Sequence, residues 1–220
     1  MPFSPFYFLF LVSLVAVLFA FVQLGLLSIT FEKLGLPPST GLSFLFFSLL
    51  GSLINLPLTR IQAEPGQDPV PTHWVWQGAL RNSRAFSGTT LIAVNVGGCI
   101  LPLLLSAYLA IVHAVPLVLL LLATFLTSLL AYAVSRPVPG LGIGMPMLVA
   151  PLAAAMIASL LSPELRAPLA YISGTLGVLI GADLLHLKDI PKLATPVASI
   201  GGAGTFDGIF LTGLIAALLT

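Results

Sequence analysis

Charge is nearly absent from this sequence. Its 220 residues hold eight Lys and Arg and seven Asp and Glu, 7% in all, where soluble domains carry about 25%. So few polar groups cannot cover a water-facing surface, which excludes a soluble globular domain. Basic runs are missing as well, and the formal net charge is only +1, so nucleic acid is excluded as a partner. Cys99 is the only cysteine. No intramolecular disulfide can form, and Cys99 reads as a buried core thiol. His73 and His113 have no acidic or cysteine neighbour at metal-ligand spacing. There is no phosphate-binding glycine loop, dinucleotide fingerprint or Gly-x-Ser-x-Gly turn. No metal and no cofactor are expected.

What is present is apolar: 58% hydrophobic residues and a mean hydropathy of +1.13. Lipid is the solvent that fits. A bilayer core takes roughly 20 apolar residues per helix. Turn residues and charges cut the chain into seven segments of about that size, near 5–30, 41–58, 88–113, 115–135, 144–162, 167–187 and 197–219. The expectation is a single all-α integral-membrane domain over 1–220, a polytopic bundle of about seven spans. The N-terminal segment lacks a basic start, and its apolar run from Phe6 to Ile29 is too long for a signal peptide core, so it reads as a retained first span. The one sizeable connection, 59–87, carries Trp74 and Trp76, which suit a membrane–water interface or an ordinary surface loop.

The cations set an orientation. With seven spans, Arg60, Arg81, Arg84, Arg136, Lys188 and Lys192 share the side of the N-terminus, and only Lys33 and Arg166 take the other. The positive-inside rule then places the N-terminus in the cytoplasm and the C-terminus outside, as in a prokaryotic inner membrane.

Against this background, two acids stand out. Asp183 lies near the end of the sixth segment and Asp207 about ten residues into the seventh. A charged side chain at the bilayer centre costs about 2.5–3.5 kcal/mol on insertion scales. Both aspartates are counted to the cytoplasmic half of adjacent spans, so their carboxylates are expected to meet. Asn55 and Asn95 fall at the same level, and the Gly- and Pro-rich segment 136–146 opens there too. Irregular backbone at membrane depth needs protein or a water-filled cavity to satisfy it. Gly177 and Gly181, and likewise Gly204 and Gly208, are small-xxx-small pairs that let helices approach closely. Asp183 and Asp207 are therefore the candidate catalytic residues, with Asn55, Asn95, Gly204 and Gly208 as candidate substrate-lining positions.

Two chemistries suit such a pair. Like charges close together cannot both ionise, so the pair shares a proton. One member then activates water while the other hydrogen-bonds a carbonyl oxygen, as in peptide hydrolysis. The same buried carboxylates suit a proton or cation carrier. A structural role for each aspartate is the third reading. His186, three residues after Asp183, falls near the same helical face.

The segments Ser-Leu-Leu-Gly-Ser-Leu-Ile-Asn55-Leu-Pro, Val-Asn95-Val-Gly-Gly, Arg136-Pro-Val-Pro-Gly and Ser-Ile-Gly-Gly-Ala-Gly-Thr-Phe-Asp207-Gly-Ile-Phe resemble a prokaryotic polytopic membrane family of unknown function, from Gly41 onward. That resemblance implies no activity. Gly204-Thr-Phe-Asp207 is also similar to the Gly-x-Gly-Asp motif of presenilins, signal peptide peptidases and prepilin peptidases. This second resemblance implies an intramembrane aspartyl protease acting on a membrane-embedded peptide, with Asp183 as the partner carboxylate on the preceding span. Phe206 stands where those families have glycine, Ala182 where they have tyrosine, and their later Pro-Ala-Leu motif is missing.

Overall fold

A computed structural model describes residues 13, 23–62, 88–138, 142–202 and 208–220. Seven helices carry most of them: α1 Gln23–Lys33, α2 Pro38–Gly51, α3 Leu101–Val112, α4 Leu117–Val134, α5 Val149–Leu161, α6 Arg166–Val178 and α7 Gly208–Leu219. Two of the helices are modified at an end. A π-helical turn, Val96–Ile100, leads into α3. A second, Leu179–Asp183, continues α6 into a 3-10 helix, Leu184–Leu193.

The all-α expectation needs correction. Among the described residues there are five short strands: β1 Asn55–Gln62, β2 Thr89–Asn95, β3 Arg136–Val138, β4 Gly142–Gly144 and β5 Val197–Ile200. β1 pairs antiparallel with β2, β2 pairs parallel with β5, and β3 and β4 form a two-stranded ribbon. Three expected spans are therefore part helix and part strand. The segment 41–58 stops being helical at Gly51 and continues as β1, where Pro57, which has no amide hydrogen, is tolerated because β1 is an edge strand. The segments 88–113 and 197–219 open on Thr-Thr-Leu-Ile-Ala-Val-Asn and Val-Ala-Ser-Ile, whose β-branched residues suit a ladder. Among the described residues, two helical stretches, Leu117–Val134 and Arg166–Leu193, are long and apolar enough to cross a membrane, and a third is formed if α1 and α2, bent by 111° at their junction, count as one span.

The packing suits lipid. On α4 the buried face holds Ala123, Thr124, Thr127, Ser128 and Ala131, while Val118, Leu121, Phe125 and Leu129 point outward, Val118 at 75% exposure. α5 repeats the arrangement with Ala150, Ala154 and Ala158 inside and Met156 and Leu160 outside. Small and polar residues inside with large apolar ones outside is the reverse of a water-soluble protein. It is what helices need where no hydrophobic effect draws them together and close backbone contact must do so. α6 is the hub, buried along nearly its whole length.

The elements divide between two ends. At one end, His113 Nε2 lies 2.9 Å from the Leu34 carbonyl, and Lys33 Nζ donates to the Leu218 carbonyl at 2.7 Å. Ala167 shares a core cluster there with Phe31 and Leu34. At the other end lie the sheet, the β3–β4 ribbon and the 3-10 helix, which packs on β1, β3 and β4. Arg60, Arg136, Lys188 and Lys192 belong to this sheet end, and Lys33 and Arg166 to the opposite one.

Candidate functional site

Asn95 and Asn55 are brought into direct contact at the sheet end. They are partners in the β1–β2 register, and Asn95 Nδ2 donates to Asn55 Oδ1 at 3.0 Å. Asn95 Nδ2 also donates to the Ser52 carbonyl at 2.7 Å, while its Oδ1 accepts the Gly98 amide at 2.7 Å. Asn95 thereby caps the first π-turn and ties it to the end of α2. It is fully buried, and both amide hydrogens are used by the chain itself. Asn55 is exposed and also accepts from Ser199 Oγ at 2.6 Å, which joins β5 to the cluster.

The glycines after Asn95 make this junction sterically feasible. A Cβ at Gly97 would collide with the Ser48 carbonyl, and one at Gly98 with the Gly201 carbonyl. Ser48 Oγ in turn donates to the Gly97 carbonyl. Sequence reasoning found the two asparagines but not Ser48, Ser52, Ser199 or the Gly97–Gly98 contact. The dipeptide Gly-Gly directly after a capping Asn was the available signal.

Asp183 closes the second π-turn. It is half-buried, with Oδ2 shielded from solvent. Single π-turns inside α-helices are frequent at functional sites. His186 is buried, with Nδ1 3.1 Å from both the Gly181 and Ala182 carbonyls, so that nitrogen carries the proton and caps the loosened turn. Its ring sits 4.8 Å from that of Tyr132 on α4. Asp207 and Gly204 lie outside the described residues. Gly208 begins α7, where an added Cβ would stand 3.7 Å from both Val178 and Met145. Segment 136–146, expected to be irregular, holds β3 and β4, and its Met145, just past β4, reaches the start of α7.

Helices α6 and α7 pack antiparallel. Gly213 faces Tyr171 and Thr175, Thr212 faces Gly174, and Gly208 faces Val178, so one helix counts down as the other counts up. Gly177 and Gly181 do not serve this contact. They face α4: a Cβ at Gly177 would come within 2.6 Å of Thr127, and one at Gly181 would strike the Ser128 carbonyl. Among the described residues, no three His, Cys, Asp or Glu side chains converge to hold a metal ion.

A family model described as "Protein of unknown function (DUF1614)" matches residues 49–219. The chain belongs to that family. The DUF1614 match takes in the asparagine cluster, both π-turns, Asp183 and Asp207, and begins inside α2. No curated protein and no solved structure matches this DUF1614 chain.

Proposed function

We propose that Asp183 and Asp207 form a carboxylate pair that hydrolyses membrane-embedded peptides. The supporting observation is the antiparallel register of α6 and α7. Asp183 lies one π-turn beyond Val178, and Asp207 immediately precedes Gly208, the partner of Val178. Counted along the chain, that register sets Asp207 opposite position 179, about one helical turn (~6 Å of rise) from Asp183, an offset that two side chains and one water could span. The ionised member would take a proton from water as its oxygen attacks the peptide carbonyl. The protonated member would hydrogen-bond the carbonyl oxygen and then protonate the leaving nitrogen as the C–N bond breaks. In this reading Asn55, Gly204 and Gly208 border the substrate path, and Asn95 holds its wall.

The proposed setting is a prokaryotic inner membrane, crossed seven times, with the N-terminus in the cytoplasm and the C-terminus outside. The turns at 34–37, 113–116 and 162–165 fall at the end opposite the sheet, which supports seven alternating passages. The concentration of cations at the sheet end supports the cytoplasmic assignment of that end.

A second reading, proton or cation transport, uses the same carboxylates and draws support from further atoms. The hydroxyls of Thr124, Ser128 and Ser135 are buried with no hydrogen-bond partner among the described residues. Their spacing puts them along one stripe of α4 and just beyond its end. Liposomes separate the two readings. Cleavage of a single-span reporter peptide, reduced at least about 100-fold by Asp183→Asn or Asp207→Asn with helicity unchanged, supports the hydrolase. Absence of cleavage, with proton flux abolished by the same substitutions, replaces it with the carrier.

A further inference from the structure

Two adjacent exposed apolar stripes end in cations that hold no ion pair among the described residues. On α4 the exposed stripe runs through Phe125 and Leu129 to Tyr132, and Arg136 follows one turn later on β3. On the 3-10 helix, Leu184 and Leu185 are exposed, 40% and 48%. Residues three apart eclipse in a 3-10 helix, so exposed Lys188 stands directly above Leu185. The Tyr132–His186 ring contact at 4.8 Å pins the two stripes side by side, and β3 packs on the 3-10 helix above them.

The electrostatics at this edge are one-sided. Neither Arg136 nor Lys188 has an ion-pair or side-chain hydrogen-bond partner among the described residues. The nearest acid in sequence, Asp189, is taken by Lys192 at 2.8 Å. Asp183 is half-buried five residues earlier in the chain. An apolar surface capped by two cations that hold no ion pair among the described residues matches an acyl chain below and a phosphate ester above.

We propose that the exposed edge formed by Tyr132, Arg136, Leu185 and Lys188 is a binding site for an anionic phospholipid. The acyl chain lies along Leu129, Tyr132, Leu184 and Leu185, and the headgroup phosphate is held by Arg136 and Lys188. Arg supplies a planar fork suited to phosphate and Lys a mobile point charge. The inference needs the membrane location but not the aspartate reading, since none of these residues enters the proposed hydrolysis.

Native mass spectrometry of the detergent-purified full chain with phosphatidylglycerol and phosphatidylcholine tests the site. Retained phosphatidylglycerol should exceed phosphatidylcholine and fall about fivefold for Arg136→Gln or Lys188→Gln, and about 25-fold for the pair. The charge-retaining pair Arg136→Lys with Lys188→Arg should keep phosphatidylglycerol, and Arg166→Gln at the opposite end should change nothing. In the unmodified protein, phosphatidylglycerol carrying a photoreactive group near the headgroup should label 132–136 and 184–188. Equal retention of the two lipids, an unchanged double Gln variant, or labelling confined to other segments overturns the proposal. Displacement by water-soluble glycerol phosphate as effectively as by the lipid also overturns it, in favour of a free phosphate ester.

Discussion

Asn95 and Asn55 face each other across the β1–β2 ladder, joined amide to amide at 3.0 Å, yet they do unequal work. Asn95 is fully buried and holds the end of α2 and the first π-turn together; Asn55 is exposed. Replacing Asn95 with Ala strands the Gly98 amide and the Ser52 carbonyl inside the protein. Each stranded buried group costs about 1–3 kcal/mol. Asn95→Ala is therefore expected to lower unfolding stability by at least about 2 kcal/mol, and Asn55→Ala by clearly less. Denaturant unfolding in detergent micelles measures both, and equal losses would contradict the division of roles.

Glycine substitutions separate two helix interfaces. Gly181→Ala places a methyl against the Ser128 carbonyl, and backbone cannot move aside cheaply. A loss of about 1–3 kcal/mol is expected. Gly208→Ala meets nothing closer than 3.7 Å and should be tolerated within about 0.5 kcal/mol. If Gly208→Ala is the more damaging of the two, the packing described for α4, α6 and α7 is wrong.

The aspartate pair has a geometric test that needs no substrate. Cys99 is replaced by Ala to remove the native thiol, and cysteines are then placed at 183 and 207. A disulfide requires Cα atoms within about 7 Å. Oxidation is expected to join this pair, or a short bifunctional cross-linker to do so. A control pair at 181 and 207 should stay open, because Gly181 faces α4. Failure of both reagents at 183 and 207 would remove the shared-proton arrangement.

Topology is tested by labelling from either side of sealed vesicles. Single cysteines at Gln67 and Lys192 are expected to react from the same, cytoplasmic face. One at Glu164, in the turn between α5 and α6, should react from the other. Reaction of Gln67 and Lys192 from opposite faces would rule out seven crossings.

The polar outliers were legible because each is rare in an apolar chain. Asn55 and Asn95 were expected at one level and are in contact; the side chosen by Arg60, Arg136, Lys188 and Lys192 is one end of the bundle. The glycine partners were not legible. Gly177 and Gly181 announce close approach on α6, but nothing in their spacing says that Thr127 and Ser128, rather than α7, fill the space. His186 was placed near the face of Asp183, whereas its ring turns to Tyr132 and its Nδ1 back to the π-turn carbonyls.

The sequence by itself marked segments long and apolar enough to cross a membrane and the sites of cost within them: little charge, and two aspartates and two asparagines that need a reason to be there. Tertiary structure decided which apolar residues became helix and which became strand. Asn55–Gln62, Thr89–Asn95 and Val197–Ile200 are short runs that read equally well as the ends of membrane helices. A helix satisfies its backbone locally. A strand does so only through a partner, and here Leu91 pairs with Arg60 on one side and Val197 on the other, across segments far apart in the chain. Hydropathy sums residues along the chain and carries no information about such partners.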